Sequence, residues 1–148
     1  MKVKFKKLNE NAIIPQYKTS GSAGFDLNVL LNNETEIIKK GEIKLLKTGL
    51  AIALPDGYEA QIRSRSGLSL KNGIIVLNAP GTVDSDYRGE VCLIIMNCGS
   101  EDYIIENGAR MAQMVIAKYE KAEIEIVNDL DSTERGDKGF GSTGVNNK

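Results

Sequence analysis

Turn-forming residues interrupt this chain so often that a long helix fits nowhere in it. Gly41, Gly49, Pro55-Asp56-Gly57, Lys71-Asn72-Gly73, Ala79-Pro80-Gly81, Asn97-Cys98-Gly99 and Asn107-Gly108 fall at short intervals, and such runs of glycine, proline and asparagine mark turns. Between them apolar residues recur with period two or in short blocks: Val3/Phe5, Phe25/Leu27/Val29, Ile43/Leu45, Leu50 to Leu54, Ile74 to Leu77, Val91 to Met96, Met111 to Ala117 and Ile124/Ile126. These read as strands. Ser66 to Lys71 has room for one or two helical turns. The expectation is an all-β fold, a jelly-roll-like β-sandwich or barrel of many short strands with at most one short helix. A length of 148 residues, 41% of them hydrophobic, suits a single domain. Residues 1–127 carry the strands, and residues 128–148 form a polar, glycine-rich segment expected to be a flexible C-terminal arm.

Composition limits the chemistry. The chain has no histidine, which excludes a Ser-His-Asp triad, an H-E-x-x-H zinc site and imidazole acid/base work. A general base here is a carboxylate, lysine, tyrosine or cysteine. A formal net charge of -1 argues against generic binding to nucleic acid. Cys92 and Cys98 form no C-x-x-C. Cys92 lies inside an apolar run and reads as a buried free thiol, which fits a reducing cytoplasm. The N-terminus alternates lysine with apolar residues and lacks the apolar stretch of a signal peptide. The longest apolar runs are too short to span a membrane as a helix.

Three segments stand out. The chain has five arginines against fourteen lysines, and Arg63, Arg65, Arg88, Arg110 and Arg135 all lie beside glycine-bearing turns or strand ends. A guanidinium fork grips phosphate oxygens bidentately. Arg63 to Ser69 combines two of these arginines with hydroxyls and Gly67, and reads either as a phosphate cradle or as a solvated loop before a helical turn. Asn78 to Glu90 reads as a long hairpin loop with three carboxylates and a tyrosine, and acids in turns are also simple turn formers. Spacing alone does not say which could be a base. In the tail, Gly136 to Thr143 imitates the P-loop spacing but has Ser142 where the decisive lysine belongs, so a Walker site is rejected.

Taken together these segments resemble the trimeric dUTPase family. Five motifs of that family occur in order: Ala23-Gly24-Phe25-Asp26-Leu27; Arg65-Ser66-Gly67-Leu68; Asn78 through Gly89, with Gly81-Thr82-Val83-Asp84-Ser85-Asp86-Tyr87-Arg88-Gly89; Gly108-Ala109-Arg110-Met111-Ala112-Gln113; and Arg135-Gly136-Asp137-Lys138-Gly139-Phe140-Gly141-Ser142-Thr143-Gly144. The resemblance implies hydrolysis of dUTP to dUMP and pyrophosphate. It makes Asp84 the carboxylate that deprotonates the water attacking the α-phosphorus, and Tyr87 the aromatic on which the deoxyribose packs, leaving no space for a 2′-hydroxyl. Asn78, Gly81 and the backbone around Thr82 and Val83 become the uracil-reading edge. Cytosine would reverse its donor and acceptor pattern, and unpaired buried polar groups reject an analogue by roughly 10⁴-fold or more. The phosphates go to Arg65, Ser66, Gly67, Gln113 and Arg135, the last in the manner of an arginine finger. Phe140 stacks on uracil when the tail closes, with Gly141 and Ser142 beside it. Mg²⁺ is carried mainly by the triphosphate, with Asp26 touching its water shell. The active unit implied is a homotrimer with sites shared between chains, without nucleic-acid or membrane partners.

Two rival readings accompany this one. The homologous dCTP deaminases use a glutamate to activate water at the base, and some phage dUTPases bind a repressor partner through the same surface. The motifs around Asp84, Tyr87 and Phe140 favour the dUTPase.

Overall fold

The structure, a computed structural model, describes residues 1–139. The elements are β1 (Lys4–Lys7), β2 (Gly24–Asn28), β3 (Thr35–Ile38), β4 (Ile43–Ala53), β5 (Tyr58–Arg63), α1 (Ser66–Asn72), β6 (Ile74–Val76), β7 (Gly81–Val83), β8 (Glu90–Asn97), β9 (Tyr103–Glu106) and β10 (Arg110–Lys118). All pairings are antiparallel. One four-stranded sheet runs β1-β4-β8-β6, a second runs β2-β10-β5-β7, and β3 pairs with β9 in a ribbon of its own. This is the β-sandwich architecture that the turn spacing predicts, with one short helix among the described residues, where Ser66 to Lys71 had room for it.

Alternation makes the core. Along β8, Val91, Leu93, Ile95 and Asn97 are buried while their neighbours are half-exposed, because successive side chains point to opposite faces of a sheet. Phe25 and Leu27 from β2, Ile62 from β5 and Met114 from β10 meet Leu46 and Ile52 from β4 and Leu93 and Ile95 from β8 in one cluster, joined by Ile38 and Ile105 from the ribbon. Asn97, the buried polar residue at the end of β8, donates from Nδ2 to the carbonyls of Ile38 at 3.1 Å and Glu101 at 2.8 Å. Burying it without partners would cost on the order of 1–3 kcal/mol.

Three sequence readings are corrected here. Ile43/Leu45 and the run from Leu50 to Ala53 are one strand, β4, and Gly49 marks a bulge within it instead of a turn: the register against β8 shifts between Lys47 and Ala51. Gly49 sits at φ +69°, and a Cβ there would fall 2.7 Å from Leu30 and 2.9 Å from Ala12, so both backbone and packing demand glycine. Ile124 and Ile126 form no strand. They are 88% and 96% exposed, and neither pairs with any strand among the described residues. Cys92 is half-buried, on the outward face of β8.

Candidate functional site

Two separate places hold the residues singled out above. The first is an edge of the β2-β10-β5-β7 sheet, where Asp26 on β2 lies opposite Gln113 on β10, and Gln113 opposite Arg63 on β5. Beyond Arg63 the chain leaves the sheet through Ser64 and Arg65 and turns into α1 at Ser66. The Asp26 carboxylate takes Arg65 Nε at 3.1 Å on one oxygen and Arg110 Nη1 at 2.9 Å on the other. Arg65 Nη1 also donates to the Arg110 carbonyl at 2.7 Å. Gln113 Nε2 donates to the Ser64 carbonyl at 2.9 Å, and a Cβ at Gly24 would come within 3.1 Å of Gln113 Oε1. Glycine in the first motif thus makes room for the glutamine of the fourth. Ser66 and Gly67 occupy the first turn of α1, whose N–H groups have no partner within a helix. A Cβ at Gly67 would meet nothing within 4 Å, so packing does not explain that glycine.

The second place is the hairpin from β7 to β8. Thr82 and Asp84 are exposed, Val83 half-buried. The Tyr87 N–H donates to the Asp84 carbonyl at 3.2 Å, closing the turn. Tyr87 Oη donates to the Glu90 carbonyl at 3.0 Å, and its ring lies where a Cβ on Gly89 would collide with it. Arg88 is occupied with the loop itself, its Nη1 donating to the carbonyls of Ser85 at 2.7 Å and Tyr87 at 2.8 Å. A cleft of about 360 Å³ has Thr82, Val83, Asp84, Tyr87, Cys92 and Leu45 in its wall. Burial, and then the Glu90 carboxylate, push the Cys92 thiol up, with Lys47 opposing them. Glu90 is not a spare base: its Oε1 accepts the Gly49 N–H at 2.7 Å and holds the bulge in β4.

Asn78 stands at the other end of β7. Gly81 is buried beneath it, and a Cβ on Gly81 would lie 2.9 Å from Asn78 Nδ2. The strand leading to Asn78 is tied to the first place, since the Val76 N–H donates to Ser64 Oγ at 2.9 Å. Asp84 and Tyr87 stay apart from it. Val83 pairs with Ala60 on β5, which is roughly 10 Å along the strand from Arg63 at about 3.3 Å per residue, and the hairpin runs further away. Two clefts that Asp84 lines contain none of Asp26, Arg65 or Gln113.

Arg135 is exposed, in a turn where the Gly136 N–H donates to both the carbonyl and Oγ1 of Thr133 at 3.1 Å. Phe140, Gly141 and Ser142 lie outside the described residues. Sequence reasoning gave no role to Ser64 and did not tie Arg110 to Asp26. The sequence signals for Arg110 are its place among arginines at strand ends and its position in the fourth motif, neither of which assigns it a role.

The sequence profile of the dUTPase family matches residues 10–144. The chain belongs to the dUTPase family. As a member it is a hydrolase. It is 56% identical over 144 residues to the deoxyuridine 5′-triphosphate nucleotidohydrolase of Rickettsia felis, covering 97% of each chain, and 55% identical to the corresponding protein of Orientia tsutsugamushi, covering 98% of this chain and 99% of that one. Its fold is similar to the solved structure of the dUTPase of Staphylococcus bacteriophage 80alpha with dUPNHPP, at a TM-score of 0.87 and 30% identity over 97% of this chain and 99% of the other. A dUTPase from phage phi11 of S. aureus, described with a structural Mg(II) ion, matches at a TM-score of 0.79 and 25% identity over 89% of this chain and 100% of that one.

Proposed function

We propose that this family member hydrolyses dUTP to dUMP and pyrophosphate in a homotrimer whose sites combine the two places described above from different chains. The observation that carries this is their separation: Asp84 and Tyr87 on one side, Arg65 and Gln113 on the other, each half a site. An apolar strip beside the Asp84 cleft supports assembly. On the outward face of the β4-β8 pair, Ile43 lies opposite Met96 and Leu45 opposite Ile94, with Ile43 and Leu45 54% and 65% exposed. Ile124 and Ile126 supply a second set of apolar side chains that nothing among the described residues covers. Closed cyclic assembly brings such surfaces together.

In this reading uracil lies along the Asn78–Val83 edge and the deoxyribose against Tyr87. The exposed Asp84 carboxylate takes a proton from a water molecule. That water oxygen forms a bond to the α-phosphorus as the bond to the bridging oxygen breaks, and pyrophosphate leaves with that oxygen. Arg65, the Ser66 and Gly67 N–H groups, Gln113 and Arg135 hold the phosphates in line, and the open space above Gly67 suits the close approach of a phosphate. Phe140, with Gly141 and Ser142, closes over the base. The donor set at Asp26 fits Mg²⁺ only through water, because both carboxylate oxygens already face guanidinium groups. The phosphates themselves would hold the ion, and when bound it neutralises charge on the triphosphate.

Incubation with dUTP and with dCTP, resolving dUMP, pyrophosphate and ammonia, tests the reading. We expect dUMP and pyrophosphate from dUTP, stimulation by Mg²⁺, and little turnover of dCTP or UTP. Ammonia from dCTP would place the chain with the deaminases, and comparable rates for UTP and dUTP would remove Tyr87 as the sugar screen.

A further inference from the structure

A bulge in β10 turns Arg110 to the phosphate-binding edge. Opposite β2, Gln113 faces Asp26, Ala112 faces Leu27 and Arg110 faces Asn28, with Met111 as the extra residue. Asp26 and Asn28 share one face of β2 because strand side chains alternate, so Arg110 and Gln113 share that face too, although they are three positions apart. In an unbroken strand Arg110 would point with Ala112 and Met114 into the core. Instead Met111 and Ala112 are both buried, and the guanidinium emerges beside Asp26. Bulges re-aim side chains in this way, often next to active sites.

Once there, Arg110 touches the phosphate arginine in two ways. Its Nη1 binds Asp26 Oδ2, whose other oxygen holds Arg65 Nε, and its carbonyl receives Arg65 Nη1. The Arg65 guanidinium is therefore fixed on two sides before any nucleotide arrives. We propose that Arg110 is a positioning residue: through Asp26 it presets Arg65 for the triphosphate without itself being needed to read the base. A long arginine held in one geometry loses less rotamer freedom on binding, and preorganisation of this kind raises affinity by lowering the ordering cost. The proposal rests on the phosphate role given above to Arg65.

The test compares wild type with Arg110→Met, which removes the guanidinium and leaves the backbone carbonyl, and Arg110→Lys, which restores a cation near Asp26. Arg110 is 46% exposed at its side chain, so the melting temperature should hold, and Arg110→Gln replaces the methionine variant if that one aggregates. Measured are the dissociation constant of dUpNHpp, the inhibition constant of deoxyuridine, which has no phosphate, and KM and kcat for dUTP. Arg110→Met should weaken dUpNHpp binding by roughly tenfold, a loss of about 1.4 kcal/mol, and raise KM more than it lowers kcat. Deoxyuridine inhibition should stay within about twofold, and Arg110→Lys should recover part of the loss. An unchanged dUpNHpp affinity in an active enzyme overturns this role for Arg110. So does an equal loss for deoxyuridine, which would make Arg110 a general support of the fold. A wild-type chain that neither binds nor hydrolyses dUTP overturns the underlying reading and this proposal with it.

Discussion

A methyl group at position 81 would land on the side chain proposed to read uracil. Built on Gly81, a Cβ lies 2.9 Å from Asn78 Nδ2 and 3.4 Å from its Cγ, so in Gly81→Ala the amide must swing aside. The backbone there is tied, the Ala79 N–H donating to the Val76 carbonyl at 3.2 Å, and the side chain yields first. A rotamer shift of that size costs on the order of 0.5–1.5 kcal/mol, partly offset by about 0.4–1 kcal/mol from the reduced freedom of the unfolded chain. Melting temperature should therefore move by no more than about 5 °C. Recognition should suffer more. Loss of a hydrogen bond from Asn78 to the base, at about 1–3 kcal/mol for a buried group left unpaired, is roughly a 5- to 150-fold fall in kcat/KM for dUTP. Steady-state kinetics beside a thermal melt separate the two effects. Unchanged kcat/KM in a folded variant would refute the role of Asn78, and a melting point lowered by more than about 10 °C would make Gly81 a structural residue first.

Three further outcomes follow. Asp84→Asn should lower kcat by about 10²–10⁴-fold while dUpNHpp affinity changes little; a fall below about tenfold in single-turnover assays would pass the role of base to Asp86. Truncation before Arg135 should leave the melting temperature and assembled mass nearly unchanged, because residues 120–139 are exposed, and should abolish most turnover; near-normal rates would leave the tail without a role. Burial and Glu90 raise the Cys92 thiol pKa, so at neutral pH it stays protonated and should be alkylated by iodoacetamide after the exposed Cys98. Peptide mapping that found Cys92 modified first would contradict its placement in the cleft wall.

How much of this was legible in the sequence depends on how local each feature is. Strand β8 and the single helix could be read because alternation and turn residues are local signals. Gly49 misled because a glycine at positive φ serves a bulge as well as a turn, and only the partner strand decides between them. Strands β3, β5, β7 and β9 are not legible as alternating segments because polar or half-exposed residues such as Glu36, Gln61 and Thr82 blur the apolar pattern. Ile124 and Ile126 alternate as a strand does, yet a strand needs a neighbour and they pair with none among the described residues. The five motifs named the site residues, but spacing could not say that Asp84 and Arg65 stand at different places. Arg110 was hidden more deeply, since simple alternation would have pointed it inward.

The division of the site between chains is tested most directly by mixing two inactive variants. Asp84→Asn lacks the base and Arg65→Met lacks the phosphate grip; each alone should be nearly dead. Unfolded, mixed in equal amounts and refolded together, they should regain about a quarter of wild-type activity, because roughly one site in four then takes an intact Asp84 from one chain and an intact Arg65 from another. A mixture that stays as inactive as its parents, with mixed trimers demonstrated by native mass spectrometry, would mean that Asp84 and Arg65 act within one chain.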